Sequence, residues 1–515
     1  MESKMINRRF LALLLAAITA LSAAGCSSSD SSAASDPGST EAASSSESAA
    51  DSVTETESDA EADAIDNTPL NVPEIEMPDT TALKADYEAS AAEREELFKK
   101  LASANDNPIV NITIAEGDKI NSKDEYTAAV IDVFNCDDQY RLSAAGGVKV
   151  RGNSTADQGD IKPYRIKFEE KHNMLGLHDG EEYRSWVLLR SYWNFVPDYM
   201  AFSLAKEIFQ GEYYSSDFTY VNVYVNGKFR DVYLLCEQNQ AQRTDLNTPK
   251  ADDNSPETGY FVEMDNYPGE DHPFFTLDYS SEQVEDFKGQ KRLPASAEYS
   301  VKSDINTQGQ LDHIEKYIKG VWEIVYQGIE NNTPMMFDEK YNVVPADGTY
   351  STVQEAVEAV LDTKSAANML ILEELVHNYD VGEGSFYFAV DFSPESSYKK
   401  LTMLAPWDFN WAYEGNGSRG WYASIWQPEV GSQDRSNPWF VMLMKADWFV
   451  ETVRERWTSF GGADKLTEVT AAVSKRAEEM KHDIGEESWR ADSGQDIVKF
   501  VNQRIKFLNK EWFGE

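Results

Sequence analysis

Basic residues are scarce in this chain. Its 47 Lys and Arg stand against 89 Asp and Glu, a formal net charge of −42 over 515 residues. Phosphate backbones repel such a chain, which argues against a nucleic-acid partner. Cysteine is nearly absent: Cys26, Cys136 and Cys236 are too few for a disulfide framework, and a Cys136–Cys236 pairing is left open. The six His are scattered, with no H-E-x-x-H and no Cys/His cluster, so zinc is not expected. No G-x-S-x-G elbow suggests a serine hydrolase. No internal repeat is visible, and beyond the N-terminus no apolar run is long enough for a membrane-spanning helix.

The N-terminus reads as an address. Arg8 and Arg9 precede an apolar run, Phe10 to Leu21, of signal-peptide length. Ser22-Ala23-Ala24-Gly25-Cys26 resembles a bacterial lipobox, with Ala23 where Leu is usual. The resemblance implies a diacylated Cys26 at the mature N-terminus. From Ser27 to Leu83 the chain is rich in Ser, Ala, Asp, Glu and Thr, and no Lys or Arg occurs before Lys84. Little apolar surface and unbalanced charge keep such a segment extended. The expectation is a signal peptide over 1–25, lipidation at Cys26 and a disordered acidic tether over 26–84. That describes a secreted protein held on the outer face of the cell membrane by its lipid alone.

The remainder is globular, with most of the 12 Trp, 25 Tyr and 24 Phe to fill a core. Residues 85–237 read as mainly β. Strand-like segments are Ile109–Ile114, Tyr126–Phe134, Gly147–Arg151 and Pro163–Phe168. A helix is expected over Pro197–Phe209, with Pro in its first turn. Tyr220–Val225 and Arg230–Cys236 flank Asn226-Gly227, whose positive φ angles suit a tight hairpin turn. Over 238–515 a strand at Gly259–Met264 gives way to helical periodicity at Gln310–Tyr326, Val353–Leu361, Ser365–Asn378 and from Pro438 onward. The fold class is α+β, and a small β-rich lobe before a larger helical lobe is the order found in protein kinases.

Chemistry concentrates between Leu370 and Tyr413. A helix ends near His377 and is followed by Asn378-Tyr379-Asp380, then the strand Ser385–Asp391. After a polar turn at Ser393-Pro394-Glu395, Leu401–Leu404 runs back into Pro406-Trp407-Asp408-Phe409-Asn410. An antiparallel hairpin puts the residues before its first strand beside those after its second, so Asp380 and Asp408 should be neighbours. Adjacent carboxylates repel unless a cation or a proton lies between them. A divalent metal ligand and a general base can be built that way, and protein kinases use the same layout. Capping of turns by each Asp is the plainer alternative.

The β-rich half offers the opposite charge. In Val148-Lys149-Val150-Arg151 and Tyr164-Arg165-Ile166-Lys167-Phe168 apolar and basic residues alternate. Alternation directs Val148, Val150, Tyr164, Ile166 and Phe168 inward and the basic residues to the opposite face. Arg151-Gly152-Asn153-Ser154-Thr155 opens a loop whose Gly and short polar side chains can approach phosphate.

RGNST, KPYRIKF, VNVYVNGKFRDVYLLCEQ, ETGYFVEMDNY, NYDVGEGSFYFAVD, APWDFNWAYEGN and NPWFVMLMKADWF occur in that order. Together they resemble the successive motifs of the CotH kinase family over most of residues 109–460. The resemblance implies a divergent two-lobed kinase-like fold, with the N-lobe at 85–237 and the C-lobe at 238–515. It implies an atypical protein kinase using ATP with Mg²⁺ or Mn²⁺ on Ser/Thr-type acceptors, here displayed at the cell exterior toward a surface or envelope protein. Asp380 then matches the catalytic base and Asp408 the metal-binding Asp. Lys167, with Lys162 second, matches the nucleotide-phosphate lysine, and Glu237 lies where the lobes would hinge. Ser385 stands where ordinary kinases carry the Asn for a second metal. Two positions depart from the family: Asn410 replaces a frequent Asp, and Ala201 a frequent Arg.

Two rival readings use the same residues. One is a non-catalytic surface adhesin or pseudokinase, favoured by the tether and the two departures. The other is a secreted glycosidase with a carboxylate pair among Asp380, Glu383, Asp408 and Glu414. Gly415-Asn-Gly417-Ser-Arg-Gly420 fits a dinucleotide string but lacks the following helix, and reads as a loop. Trp421, Trp426, Trp439, Trp448 and Trp457 read as core rather than as a sugar platform.

Overall fold

Alternation of apolar residues decides the first half of the molecule. The computed structural model describes residues 65–70, 75–157, 159–190, 196–269, 272–413, 417, 420–427, 436–480, 483 and 489–514. Helices α1 (Thr81–Ala89) and α2 (Ala91–Ala102) precede strands β1 (Ile109–Thr113), β2 (Thr127–Phe134), β3 (Leu142–Val150), β4 (Tyr164–His172) and β5 (Tyr183–Leu189). Helix α3 (Pro197–Phe209) follows, then β6 (Phe218–Val225) and β7 (Lys228–Glu237). The strands close into a barrel in the order β1-β2-β3-β4-β5-β7-β6. All pairings are antiparallel except the one that closes the ring, where β1 runs parallel to β6 with Val110 opposite Val223. Closure leaves no free edge.

Inward residues of every strand form one apolar core, among them Ile112, Ile131, Val148, Ile166, Trp186, Val223 and Leu235. The outward residues Val187, Leu189, Tyr220, Val232, Leu234 and Cys236 belong to a second core, shared with the helical half. One side of the barrel is therefore an interior surface, and the alternation places both cores at once.

The second half comprises β8 (Gly259–Met264), β9 (Phe274–Leu277), β10 (Val284–Glu285), β11 (Lys291–Arg292), β12 (Ala297–Val301), α4 (Gln308–Asn331), β13 (Met335–Phe337) and β14 (Val343–Pro345). It continues with α5 (Val353–Val360), α6 (Thr363–Val376), β15 (Phe386–Asp391), β16 (Thr402–Leu404), α7 (Pro438–Leu443), α8 (Asp447–Ser459), α9 (Gly462–Glu479) and α10 (Trp489–Phe513). Strands β16-β15-β8-β12-β9 form a twisted antiparallel sheet against which α6 and α7 pack. Helix α4 starts with a capping box between Thr307 and Gln310. Helix α6 is buried on every side, and the Asp362 carboxylate accepts its first free amides, from Lys364 and Ser365. The class is α+β, and the short strands β9 to β14 were not anticipated.

The tether ends earlier than its composition implied. Pro69 forms a β-bridge with Thr307. The carbonyls of Asp66 and Thr68 accept from Gly309 N–H at 2.7 Å and Gln308 N–H at 2.9 Å. First-turn amides of a helix have no partner inside it, so α4 takes acceptors from this segment. Thr80 and Lys84 both hold Glu169 on β4, the latter at 3.0 Å. The tether expected to reach residue 84 is thus fastened to the domain at residues 66–70 and again at Thr80 and Lys84. Cys26 and the signal sequence lie outside the described residues.

Cys136 is half-buried and Cys236 fully buried, and both are free thiols, so the pairing left open is not made. Trp421, Trp426, Trp439 and Trp457 are buried and Trp448 packs against the same core, as expected. No helix among the described residues is long and apolar enough to cross a membrane.

Candidate active site

The site is built at one end of the β15–β16 hairpin. Its register pairs Tyr387 with Leu404 and Ala389 with Thr402. Residues before Phe386 therefore lie alongside those after Leu404. The flanking loops do meet: the rings of Tyr379 and Trp411, neighbours of Asp380 and Asn410, have centroids 6.5 Å apart.

Each loop is held from several directions. His377 ends α6 with φ 52°, and its ring stacks on Tyr422 at 4.3 Å. The Asp380 carbonyl accepts from Glu383 and Gly384 N–H at 3.0 and 2.9 Å, a tight turn. Asn437 donates to the Val381 carbonyl at 2.9 Å and fastens the loop to the start of α7. Gly384 passes so close to Asn266 that a Cβ there would lie 3.0 Å from its side chain. On the other arm, Ala405 N–H donates to the Tyr214 carbonyl at 2.9 Å, and Asn239 donates to the Ala405 carbonyl at 2.8 Å. Ser385, Ala405 and Asp408 all carry positive φ, at 53°, 56° and 58°. Such conformations are uncommon for residues with a Cβ and persist where surroundings impose them.

Asp380 and Asp408 are both partly exposed. The Asn410 side-chain amide donates to the Asp408 carboxylate. Behind Asp408 lies a carboxylate that sequence reasoning missed. Asp198, in the first turn of α3, is 6% exposed and accepts from Phe409 N–H at 3.0 Å. Burial, followed by the charge of Asp408, pushes its carboxyl up to about 7, against the Phe409 amide and the Arg151 guanidinium. An Asp after a helix-initiating Pro reads as an ordinary first-turn acid, so the sequence carried no signal for it. Beside the other arm, Glu373 of α6 is 2% exposed. Its carboxyl rises to about 8 through burial and the charges of Glu374 and Asp380, opposed by a hydrogen bond from Asn378. Next to Tyr387, Lys302 bridges Glu263 at 3.0 Å and Asp265 at 2.8 Å, a buried ion cluster that was also missed.

The barrel brings the opposite charge. Strands β3 and β4 are neighbours, with Lys149 opposite Arg165 and Gly147 opposite Lys167. Val148, Val150, Tyr164, Ile166 and Phe168 fill the barrel, so these basic residues lie on its outer face, as the alternation required. Arg151, just past β3, sits 5.6 Å above the Trp407 ring. Its charge acts on Asp198, Tyr387 and Cys236, which places it between the barrel and the hairpin.

Glu237 and Lys162 are engaged elsewhere. Glu237 is fully buried and lies opposite Trp186, hence on the inward-facing register of β7, away from the face that bears Lys167. His178 meets it at 2.9 Å and the Asp217 amide donates to it at 2.9 Å. The hydrogen bond between His178 and Glu237 raises the His178 pKa against the effect of its burial. The Lys162 ammonium is turned to the Ala156 carbonyl and tightens the loop after Arg151. Ser385 stands at the foot of β15, on the arm that carries Asp380. Glu414 lies outside the described residues, as do most of residues 415–420.

A family model described as CotH kinase protein matches residues 148–508. The chain belongs to that family. The matched span opens in β3 and closes in α10, so it contains Arg151, Asp198, both hairpin arms and the sheet beneath them. Membership in the CotH kinase family points to a kinase-like function. No curated protein matches the chain. Among the described residues no three His, Cys, Asp or Glu cluster as a metal cage. The oxygen donors Asp408 and Ser385 still fit Mg²⁺ or Mn²⁺, because such ions are commonly held by one or two carboxylates, with phosphates and water completing the shell.

Proposed function

We propose that the chain is a two-lobed, ATP- and divalent-metal-dependent protein phosphotransferase of the CotH kinase family. The barrel serves as its N-lobe and the helical half as its C-lobe. The observation that carries this reading is the meeting of the Asp380 loop and the Asp408 turn at one hairpin end, beneath Arg151. Asp380 accepts the proton of the acceptor hydroxyl. Asp408 is the main protein ligand for the metal, with Ser385 beside it; the metal supplies neutralising charge to the phosphates. Arg151, Lys167 and the neighbouring basic residues of the barrel's outer face offset the remaining phosphate charge. The direct test is titration of the wild-type protein with ATP, with and without Mg²⁺ or Mn²⁺. Absence of binding in every condition sinks the reading.

A second reading, a CotH-like surface binding module without catalysis, is favoured by one observation. Of the expected nucleotide-binding residues, Lys162 is bonded to the Ala156 carbonyl and Glu237 to His178. It predicts no transfer of phosphate even where ATP binds. A glycosidase, the remaining alternative, would act without nucleotide.

The protein is further proposed to be a lipoprotein on the outer face of the cell membrane, acting on a surface or envelope protein. The lipobox-like run and the acidic segment after Cys26 support this. Cys26→Ser removes the thiol that accepts the lipid, so most of the protein is expected to move from the membrane to the soluble fraction. Identical fractionation of both forms would refute the anchor.

A further inference from the structure

We infer that Asp198 is a positioning residue for the metal-binding turn at Asp408, a role that rests on the phosphotransfer reading above. Helix α3 grips this turn on both sides of Asp408. Asp198 takes the N–H of Phe409 at 3.0 Å, and the Tyr413 hydroxyl donates to the Pro197 carbonyl at 3.0 Å. One turn further along α3, Phe202 meets Trp407 at 5.7 Å and Phe409 at 6.1 Å between ring centroids. The residues flanking Asp408 are thereby fixed to one helix, while Asp408 itself is left partly exposed beside Asn410.

Two features make this more than packing. Asp408 has φ 58°, a conformation that needs outside support, and the Phe409 amide is the first main-chain group after it. The acceptor chosen for that amide is a carboxylate, buried next to a second carboxylate. The two carboxylates repel each other, and the hydrogen bond to the amide is kept nonetheless. Arg151, whose charge reaches Asp198 from the barrel, offsets that repulsion in part and links the turn to the phosphate-facing side of the site.

The test compares the wild type, Asp198→Ala and Asp198→Asn by ATP titration, with Mg²⁺ and with a chelator, alongside thermal melting. Asp198→Ala strands a buried amide. A group of that kind costs enough to shift an equilibrium by about ten- to hundredfold. The expected result is a loss of that order in affinity for Mg²⁺–ATP, with metal-free ATP binding unchanged. Asp198→Asn retains an oxygen for Phe409 N–H and is expected to restore Mg²⁺–ATP affinity to within about threefold of the wild type. A purely structural role would weaken both forms of binding together, and that outcome overturns the inference. Wild-type affinity in Asp198→Ala overturns it as well. So does a folded Asp198→Asn that loses tenfold or more, an outcome that remains readable where the Ala variant does not fold. A wild type that binds no ATP removes the phosphotransfer reading and this role with it.

Discussion

Asp408→Asn is expected to weaken metal-dependent ATP binding by about 10²-fold or more while leaving the fold intact. The substitution replaces an ionised oxygen ligand with a neutral amide of the same shape. Removing a partner that merely orients a metal ligand costs about 10- to 100-fold in affinity. Loss of a ligand that itself carries the charge should reach at least the upper end, about 10²-fold. Stability is expected to hold for two reasons. The Asn410 amide can still donate to an oxygen at position 408, and the like charge that raises the Asp198 carboxyl disappears. Calorimetric titration with ATP, in Mg²⁺ and in chelator, reads the first effect, and thermal melting the second. Unchanged Mg²⁺-dependent affinity would show that the metal is held elsewhere.

What the sequence made legible is what short-range physics determines. Asn226-Gly227 marked its hairpin because two positive φ angles have few residues to supply them, and Asn226 indeed sits at φ 48°. Helix Pro197–Phe209 and strand Gly259–Met264 were readable from a first-turn Pro and a bounded apolar run. The basic and apolar faces of β3 and β4 followed from period two alone. Barrel closure did not, because the parallel pairing of Ile109–Ile112 with Asn222–Val225 joins segments more than a hundred residues apart. Nor did the fastening of residues 65–70, which uses the carbonyls of Asp66 and Thr68 and the N–H of Leu70, backbone groups that almost any residue could offer.

The candidate site divides the same way. The loops that carry Asp380 and Asp408 could be placed together because a hairpin is a local object. Asp198 could not, because its meaning lies in an amide 211 positions away. Glu237 shows the converse limit. Its place at the end of β7 was readable, but its face depends on register with Trp186, which turns it to His178 rather than toward the basic surface. Side-chain role follows from strand register as much as from residue type, and register between distant strands is not written locally.

Asp380→Asn is expected to keep ATP affinity and lose turnover by about 10² to 10⁴-fold, the usual range of general-base catalysis. Several bonds that shape its loop are made by other atoms. The Asp380 carbonyl takes the Glu383 and Gly384 amides, Asn378 accepts from its N–H, and Asn437 holds the Val381 carbonyl. An amide at position 380 therefore leaves the loop's backbone bonds in place while removing the group that receives the hydroxyl proton. Glu373 is no substitute base, because it is only 2% exposed and burial disfavours its charged form. The measurement is phosphate transfer to a Ser-rich acceptor protein, or to the chain itself, at saturating Mg²⁺–ATP, with affinity determined in parallel. The two aspartates then separate, with turnover lost at 380 and binding lost first at 408. A glycosidase pair would give hydrolysis indifferent to ATP, and a surface binding module would tolerate both substitutions. Turnover unchanged in Asp380→Asn would mean that the acceptor proton leaves by another route, and the base would have to be sought elsewhere in the site.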